Sequence, residues 1–148
     1  MSALVLDAPS LAMPRRWAQQ SHLLERQHDH LEALLDDLIE RHAIADQDRS
    51  PWERQLDQRD CGQLLRKLAL HLRLEERWLT GLHSFCGGHR RSHHQATRLA
   101  ADGWALGQEL RAARLPWLMD LQDWFQQHRH GADAIAYRRA GALAAGLP

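Results

Sequence analysis

The chain has little that would take it out of water or tie it to a charged partner. Among its 148 residues, no apolar run approaches the roughly 18 to 20 residues that span a bilayer, so no membrane-spanning helix is expected. Charge of one sign is also lacking: lysine plus arginine number 19, and so do aspartate plus glutamate. That balance argues against an electrostatic binder of nucleic acid or of an anionic membrane surface. Cysteine is limited to Cys61 and Cys86, which gives no disulfide framework and suits a reducing compartment. The mildly apolar start, residues 1–14, has no basic segment before it, so we expect no signal peptide and a cytoplasmic location. Nine glycines and five prolines are too few for a fibrous or low-complexity chain, and a 44% hydrophobic content is that of a globular one. The length suits one domain with a real core.

Histidine, by contrast, is abundant, with eleven residues. Its placement follows the helical period. From about Trp17 to Ala43, Leu24, His28, Leu31, Leu35 and Leu38 recur at intervals of four and three and form one face, with His28 in the middle of it. A polar break covers 44–50. Ser50, Pro51 and Glu53 make an N-cap, a first-turn proline and a capping box, which predict the start of a second helix. Its inward face reads Cys61, Leu64 or Leu65, Leu68, His71, Leu72, Glu75 and Leu79, and it should end near Thr80-Gly81. Gly87-Gly88 mark a turn, and a third helix is expected from about His89 to Ala113, with His89, His93, Ala96, Ala100, Gly103 and Gly107 on one face. The small residues there would let a neighbouring helix come close. Pro116 should break the pattern before a fourth helix whose face reads Leu118, Leu121, Trp124 or Phe125, and then His128. Asp133 follows His128 by five, an offset that predicts a helix end or bulge near Gly131, before a last piece from Ala134 to about Ala145.

No segment alternates with the period of a strand. The expected fold is all-α, an antiparallel up-down four-helix bundle over residues 17–148 preceded by a short N-terminal arm at 1–16.

On that fold His28, His71, Glu75, His89, His93, His128 and Asp133 all point inward. His71 and Glu75 are four apart, as are His89 and His93, so each pair shares a helix face. One such histidine is an ordinary surface or hydrogen-bonded residue. Seven polar groups on the core face of one small bundle make no sense as packing, because each costs several kcal/mol buried alone and ionised. Five imidazoles and two carboxylates can satisfy two divalent cations, each carboxylate bridging the pair.

The set resembles the hemerythrin family, specifically its bacterial members. The resemblance rests on Gln27-His28-Asp29-His30-Leu31, on His71 to Glu76 as His-x-x-x-Glu-Glu, on His89 to His93 as His-x-x-x-His, and on Trp124, His128 and Asp133, and covers roughly residues 17–140. It implies two iron ions with an oxo or hydroxo bridge. His89, His93 and His128 would hold one, His28 and His71 the other, and Glu75 and Asp133 would bridge. It further implies reversible binding of O2 at the two-histidine iron, one electron coming from each iron, with Leu31, Leu72, Trp124 and Phe125 as apolar pocket residues. No substrate would be turned over, so no enzyme is expected. O2 is the expected partner, and a monomer the expected state, with no protein partner indicated.

The chain departs from the family pattern in places. A Tyr-Pro in the connector is replaced by Leu82 to Gly88, and a tyrosine expected three residues after the aspartate is Ala136, with Tyr137 one later. Glu32 and Arg129 stand where apolar pocket residues are usual. If they face the pocket, they admit water and speed autoxidation; otherwise they point to solvent and pair with each other or with water. Two other classes use similar residues: a di-iron redox enzyme or sensor of O2, NO or peroxide, and a zinc-stabilised interaction bundle. Carboxylate-rich di-iron oxidases carry two Glu-x-x-His motifs, which this chain lacks.

Overall fold

In the computed structural model the backbone is described for residues 2–144 and the side chains for 20–143. The described chain is helical and has no strand. Five α-helices, α1 (Ser2–His42), α2 (Pro51–Gly81), α3 (Gly87–Glu109), α4 (Arg114–His128) and α5 (Ala134–Ala144), are joined by short turns. Four of them form the body: α1 packs on α2 and α4, and α3 packs on α2 and α4. The fifth continues α4 through a single π turn, Arg129–Asp133. No helix among the described residues is long and apolar enough to cross a membrane.

Helix α1 is already helical from Ser2, so the stretch expected as an arm continues the first helix in its backbone; its side chains lie outside the described residues. The start of α2 follows the sequence signals. Ser50 Oγ accepts from the Glu53 N–H at 3.1 Å, and the Ser50 N–H donates to Glu53 Oε1 at 2.9 Å. Helix α3 begins earlier than expected, at Gly87, because Cys86 Sγ caps it by accepting from the His89 N–H at 3.4 Å.

The expected end of α3 at Ala113 and the break at Pro116 are both corrected. Helix α3 stops at Glu109 because Leu110 is extended, at φ −131° and ψ 104°. A single 3-10 turn, Arg111–Ala113, follows. Arg111 is pinned there: its guanidinium donates to the carbonyls of Ile44 and Arg41 and to Asp46 and Asp57. Pro116 lies inside the first turn of α4, where a missing N–H breaks no helical hydrogen bond.

The apolar core gathers Leu31, Leu35, Leu38, Leu64, Leu68, Leu72, Trp117, Leu118, Leu121 and Phe125 from α1, α2 and α4, with Ala96 from α3. The small residues of α3 do admit a neighbour. A Cβ at Gly103 would overlap the Trp117 ring, whose Nε1 donates to the Leu99 carbonyl at 3.0 Å. A second cluster, built on Leu24, Trp78, Leu79, Leu82, Ala136 and Ala140, closes the other end. Both cysteines are free thiols, Cys61 buried and Cys86 exposed.

Candidate metal centre

Between the two apolar clusters sits the polar set. Helix α1 supplies His28, α2 supplies His71 and Glu75, α3 supplies His89 and His93, α4 ends on His128, and the π turn ends on Asp133. None of the seven is more than 4% exposed. The offset of five between His128 and Asp133 is absorbed by the π turn, which brings His128 Nε2 to 2.8 Å from Asp133 Oδ1.

The seven divide into two groups whose ligand atoms lie within 4.8 Å of one another: Glu75, His89, His93, His128 and Asp133, and His28, His71, Glu75 and Asp133. Glu75 and Asp133 belong to both. In the first group, Glu75 Oε1 is 2.9 Å from His89 Nε2 and 3.0 Å from His93 Nε2. Asp133 Oδ1 is 2.9 Å from His89 Nε2, and His128 Nε2 is 3.1 Å from the Nε2 atoms of both His89 and His93. Adjacent ligand atoms on an octahedron with bonds of about 2.1 Å stand about 3 Å apart. The spacing therefore fits the edges of one coordination shell. On the second side the other oxygens of the same carboxylates turn toward the remaining imidazoles. His28 Nε2 is 3.1 Å from Asp133 Oδ2 and 3.7 Å from Glu75 Oε2, and His71 Nε2 is 3.5 Å from Glu75 Oε2.

His89, His93, His128 and Glu75 are within hydrogen-bond geometry of one another, but the rest of the cluster is not. His28 Nε2, His71 Nε2 and both oxygens of Asp133 are buried without a partner in hydrogen-bond geometry. Such orphans cost free energy unless something else satisfies them. A cation between the groups would do so, and the buried cluster could hold one.

The outer nitrogens strengthen that fit. His71 Nδ1 donates to Gln27 Oε1 at 2.8 Å, and His93 Nδ1 to Glu76 Oε1 at 2.9 Å. His128 Nδ1 is 2.8 Å from Ser92 Oγ. An acceptor at Nδ1 fixes the proton there and leaves the Nε2 lone pair facing inward, as a metal-binding imidazole requires. Tyr137 adds a further contact, its hydroxyl donating to Glu75 Oε2 at 2.6 Å. The sequence motifs include Gln27 and Glu76, and Tyr137 stands one residue past its expected place, but the sequence assigns none of these partners a contact. Glu76 and Ser92 each stand beside a ligand, and so does Gln27, so their positions were visible. A polar neighbour on a helix is too common to signal a contact. Tyr137 did carry a signal, because it is four residues after Asp133 and so shares its face.

Burial works against charge on His28, Glu75, His89, His128 and Asp133, and pairing overcomes it. For His28, desolvation pulls the pKa down, but Asp133 and Glu75 raise it to about 9. His89 is likewise raised to about 9 by the same carboxylates against its burial. Glu75 is desolvated, yet the surrounding imidazoles of His128, His28, His71 and His89 hold it well below the usual carboxylate range. Asp133 is lowered for the same reason by His128, His28 and His89. Burial and the two nearby carboxylates push the Tyr137 phenol far up, so it remains a donor. The site thus presents two ionised carboxylates that attract positive charge.

Aromatic rings wall the cluster. Trp124 stacks on His128 at 4.5 Å, Phe125 meets the edges of His28 and His71 at 5.5 and 6.2 Å, and Phe85 leans on His89 and His93. Leu31 and Leu72 are buried in the same apolar cluster as Phe125. Glu32 and Arg129 adopt the outward arrangement: Arg129 Nη1 pairs with Glu32 Oε2 at 3.0 Å, and Arg129 also holds Glu25 and Asp29. His94 and His130 are exposed, as expected of residues beside ligands but on other faces. His42 is buried away from the cluster, with Nδ1 on the Leu38 carbonyl at 2.7 Å and Nε2 3.9 Å from Cys61 Sγ.

No protein-family model matches the chain, and neither the curated proteins nor the solved structures contain a significant match.

Proposed function

We propose that this chain is a hemerythrin-type, non-haem di-iron protein that binds O2 reversibly, its four main helices forming an antiparallel up-down bundle. The observation that carries the reading is the sharing of Glu75 and Asp133 between a three-histidine group and a two-histidine group. His89, His93 and His128 would hold one iron, His28 and His71 the other, and the two carboxylates would bridge. An iron pair supplies two one-electron reductants at one place, which matches the two-electron reduction of O2 and its reversal.

The chain's own residues set the conditions. Three imidazoles against two leave the His28–His71 position with fewer protein ligands, so a small diatomic molecule would bind there. Phe125, Leu31, Leu72 and Trp124 make the surroundings apolar, which excludes the water that would discharge the bound ligand. The charged ends of Glu32 and Arg129 are occupied with each other outside that wall. The Tyr137 hydroxyl donates to Glu75 Oε2 and fixes the orientation of the carboxylate that would bridge the irons. Gln27, Glu76 and Ser92 keep three imidazoles aimed inward.

The test is gas uptake. Protein loaded anaerobically with Fe(II) should bind two irons and take up one O2 per chain, and return it under argon. Continued O2 consumption in the presence of a reductant would replace this reading with a di-iron redox enzyme. Failure to take up iron, with tight uptake of zinc, would replace it with a structural bundle.

A further inference from the structure

Three of the five imidazoles hold their outer nitrogen to a partner at 2.8–2.9 Å, but His28 does not. His28 Nδ1 lies 3.3 Å from Glu25 Oε1, one turn earlier on α1, and makes no hydrogen bond. The other oxygen of Glu25 is already engaged: Oε2 accepts from Arg129 Nη2 at 2.9 Å. Arg129 opens the π turn directly after His128 and is itself fixed from three sides, by Glu25, by Asp29 at 2.8 Å and by Glu32 at 3.0 Å. Its side chain is 16% exposed, whereas Glu25 is 44% and Asp29 71% exposed, so the arginine is held by three carboxylates at the edge of solvent.

A carboxylate that accepts the Nδ1 proton makes Nε2 a stronger donor to a metal and fixes the ring. Glu25 is within reach of that role and is drawn off it. We propose that Arg129 is a positioning residue for the metal centre: by holding Glu25, it withholds a carboxylate from His28 and keeps the His28–His71 position the looser of the two. This rests on the metal reading above. The effect is asymmetric, because among the described residues Glu25 pairs with His28 and Arg129 and not with the three-histidine group. It also has an unusual sign. Loss of an ordinary structural ion pair would loosen the centre, whereas loss of Arg129 should tighten one half of it.

The experiment is an anaerobic Co(II) titration followed by calorimetry and by the visible d–d bands. It compares the unaltered protein with Arg129→Gln, Arg129→Lys, Glu25→Gln and the Glu25→Gln/Arg129→Gln double variant. The unaltered protein should take up two Co(II) in a stronger and a weaker step. Arg129→Gln should tighten the weaker step roughly threefold to tenfold and change its d–d spectrum, at the lower end of what outer partners of metal ligands contribute. The stronger step should stay where it is. Arg129→Lys should restore the unaltered pattern, and Glu25→Gln should abolish the gain in the double variant. Weakening of both steps by Arg129→Gln would make Arg129 merely structural and overturn the proposal, and so would an unchanged weaker step. An unaltered protein that takes up no cobalt would overturn the metal reading itself, and this proposal with it.

Discussion

An imidazole has two nitrogens, and at this site the outer one governs what the inner one can do. Gln27 is a case in point, its Oε1 accepting from His71 Nδ1 at 2.8 Å. Replacing Gln27 with Leu leaves that N–H without an acceptor and frees the ring to turn. The expected result is a loss of roughly tenfold to a hundredfold in metal affinity at the His28–His71 position, measured by competition with a chromophoric chelator. Equal affinities would mean that packing alone orients His71. The seven inward residues were legible because helical periodicity assigned polar residues to core positions. The contacts of Gln27, Glu76 and Ser92 were not, although the first two stand within the ligand motifs, because an outer contact depends on rotamers and on which helix lies alongside. Sequence spacing records neither.

At the scale of elements, the π turn and the small residues of α3 do the positioning. The spacing of five between His128 and Asp133 already demanded a departure from α geometry, and Arg129–Asp133 supplies it. The close approach of α4 to α3 was legible in Gly103 and Gly107 for the same reason: only a missing side chain leaves room. The end of α3 was not legible. It depends on Arg111 reaching back to carbonyls of the α1 end and to Asp57, contacts across the fold that no local signal announces. Pro116 misled because its effect depends on which turn of a helix it occupies. Two glycines give a paired prediction. Gly103→Ala should destabilise by about 1–3 kcal/mol, since the added methyl overlaps Trp117 in a packed interface. Gly131→Ala meets nothing within 4 Å and should be neutral or stabilising by up to about 1 kcal/mol, as glycine is a poor helix former. Urea denaturation of both variants checks the pair, and equal effects would contradict the packing described.

The molecule as a whole has two polar anchors in one apolar body. Seven residues converge at the candidate metal centre, while Asp57 lies fourteen residues before His71, about 21 Å along α2. Asp57 is fully buried and accepts from Arg41, Arg49 and Arg111, tying together the end of α1, the following turn, α2 and the turn after α3. Desolvation would raise its pKa, but the three guanidiniums lower it from 3.8 to about 2. Because the folded pKa is the lower one, this contribution is complete above pH 3.8 and is lost as pH falls through about 2. It amounts to about 2 kcal/mol. Asp57→Asn should therefore lower stability at neutral pH and flatten the acid limb of the stability curve in that window. An acid limb unchanged by the substitution would show that other carboxylates control it.

The claim on which the rest depends is that two metal ions share Glu75 and Asp133 inside one cluster. Electron paramagnetic resonance of the oxidised, iron-loaded protein at liquid-helium temperature, with iron counted on the same sample, tests it most directly. Two ferric ions joined by shared bridges couple antiferromagnetically, so the account predicts two irons per chain and almost no ferric signal. A full-intensity high-spin ferric signal, or one iron per chain, would mean isolated ions and would contradict the shared centre.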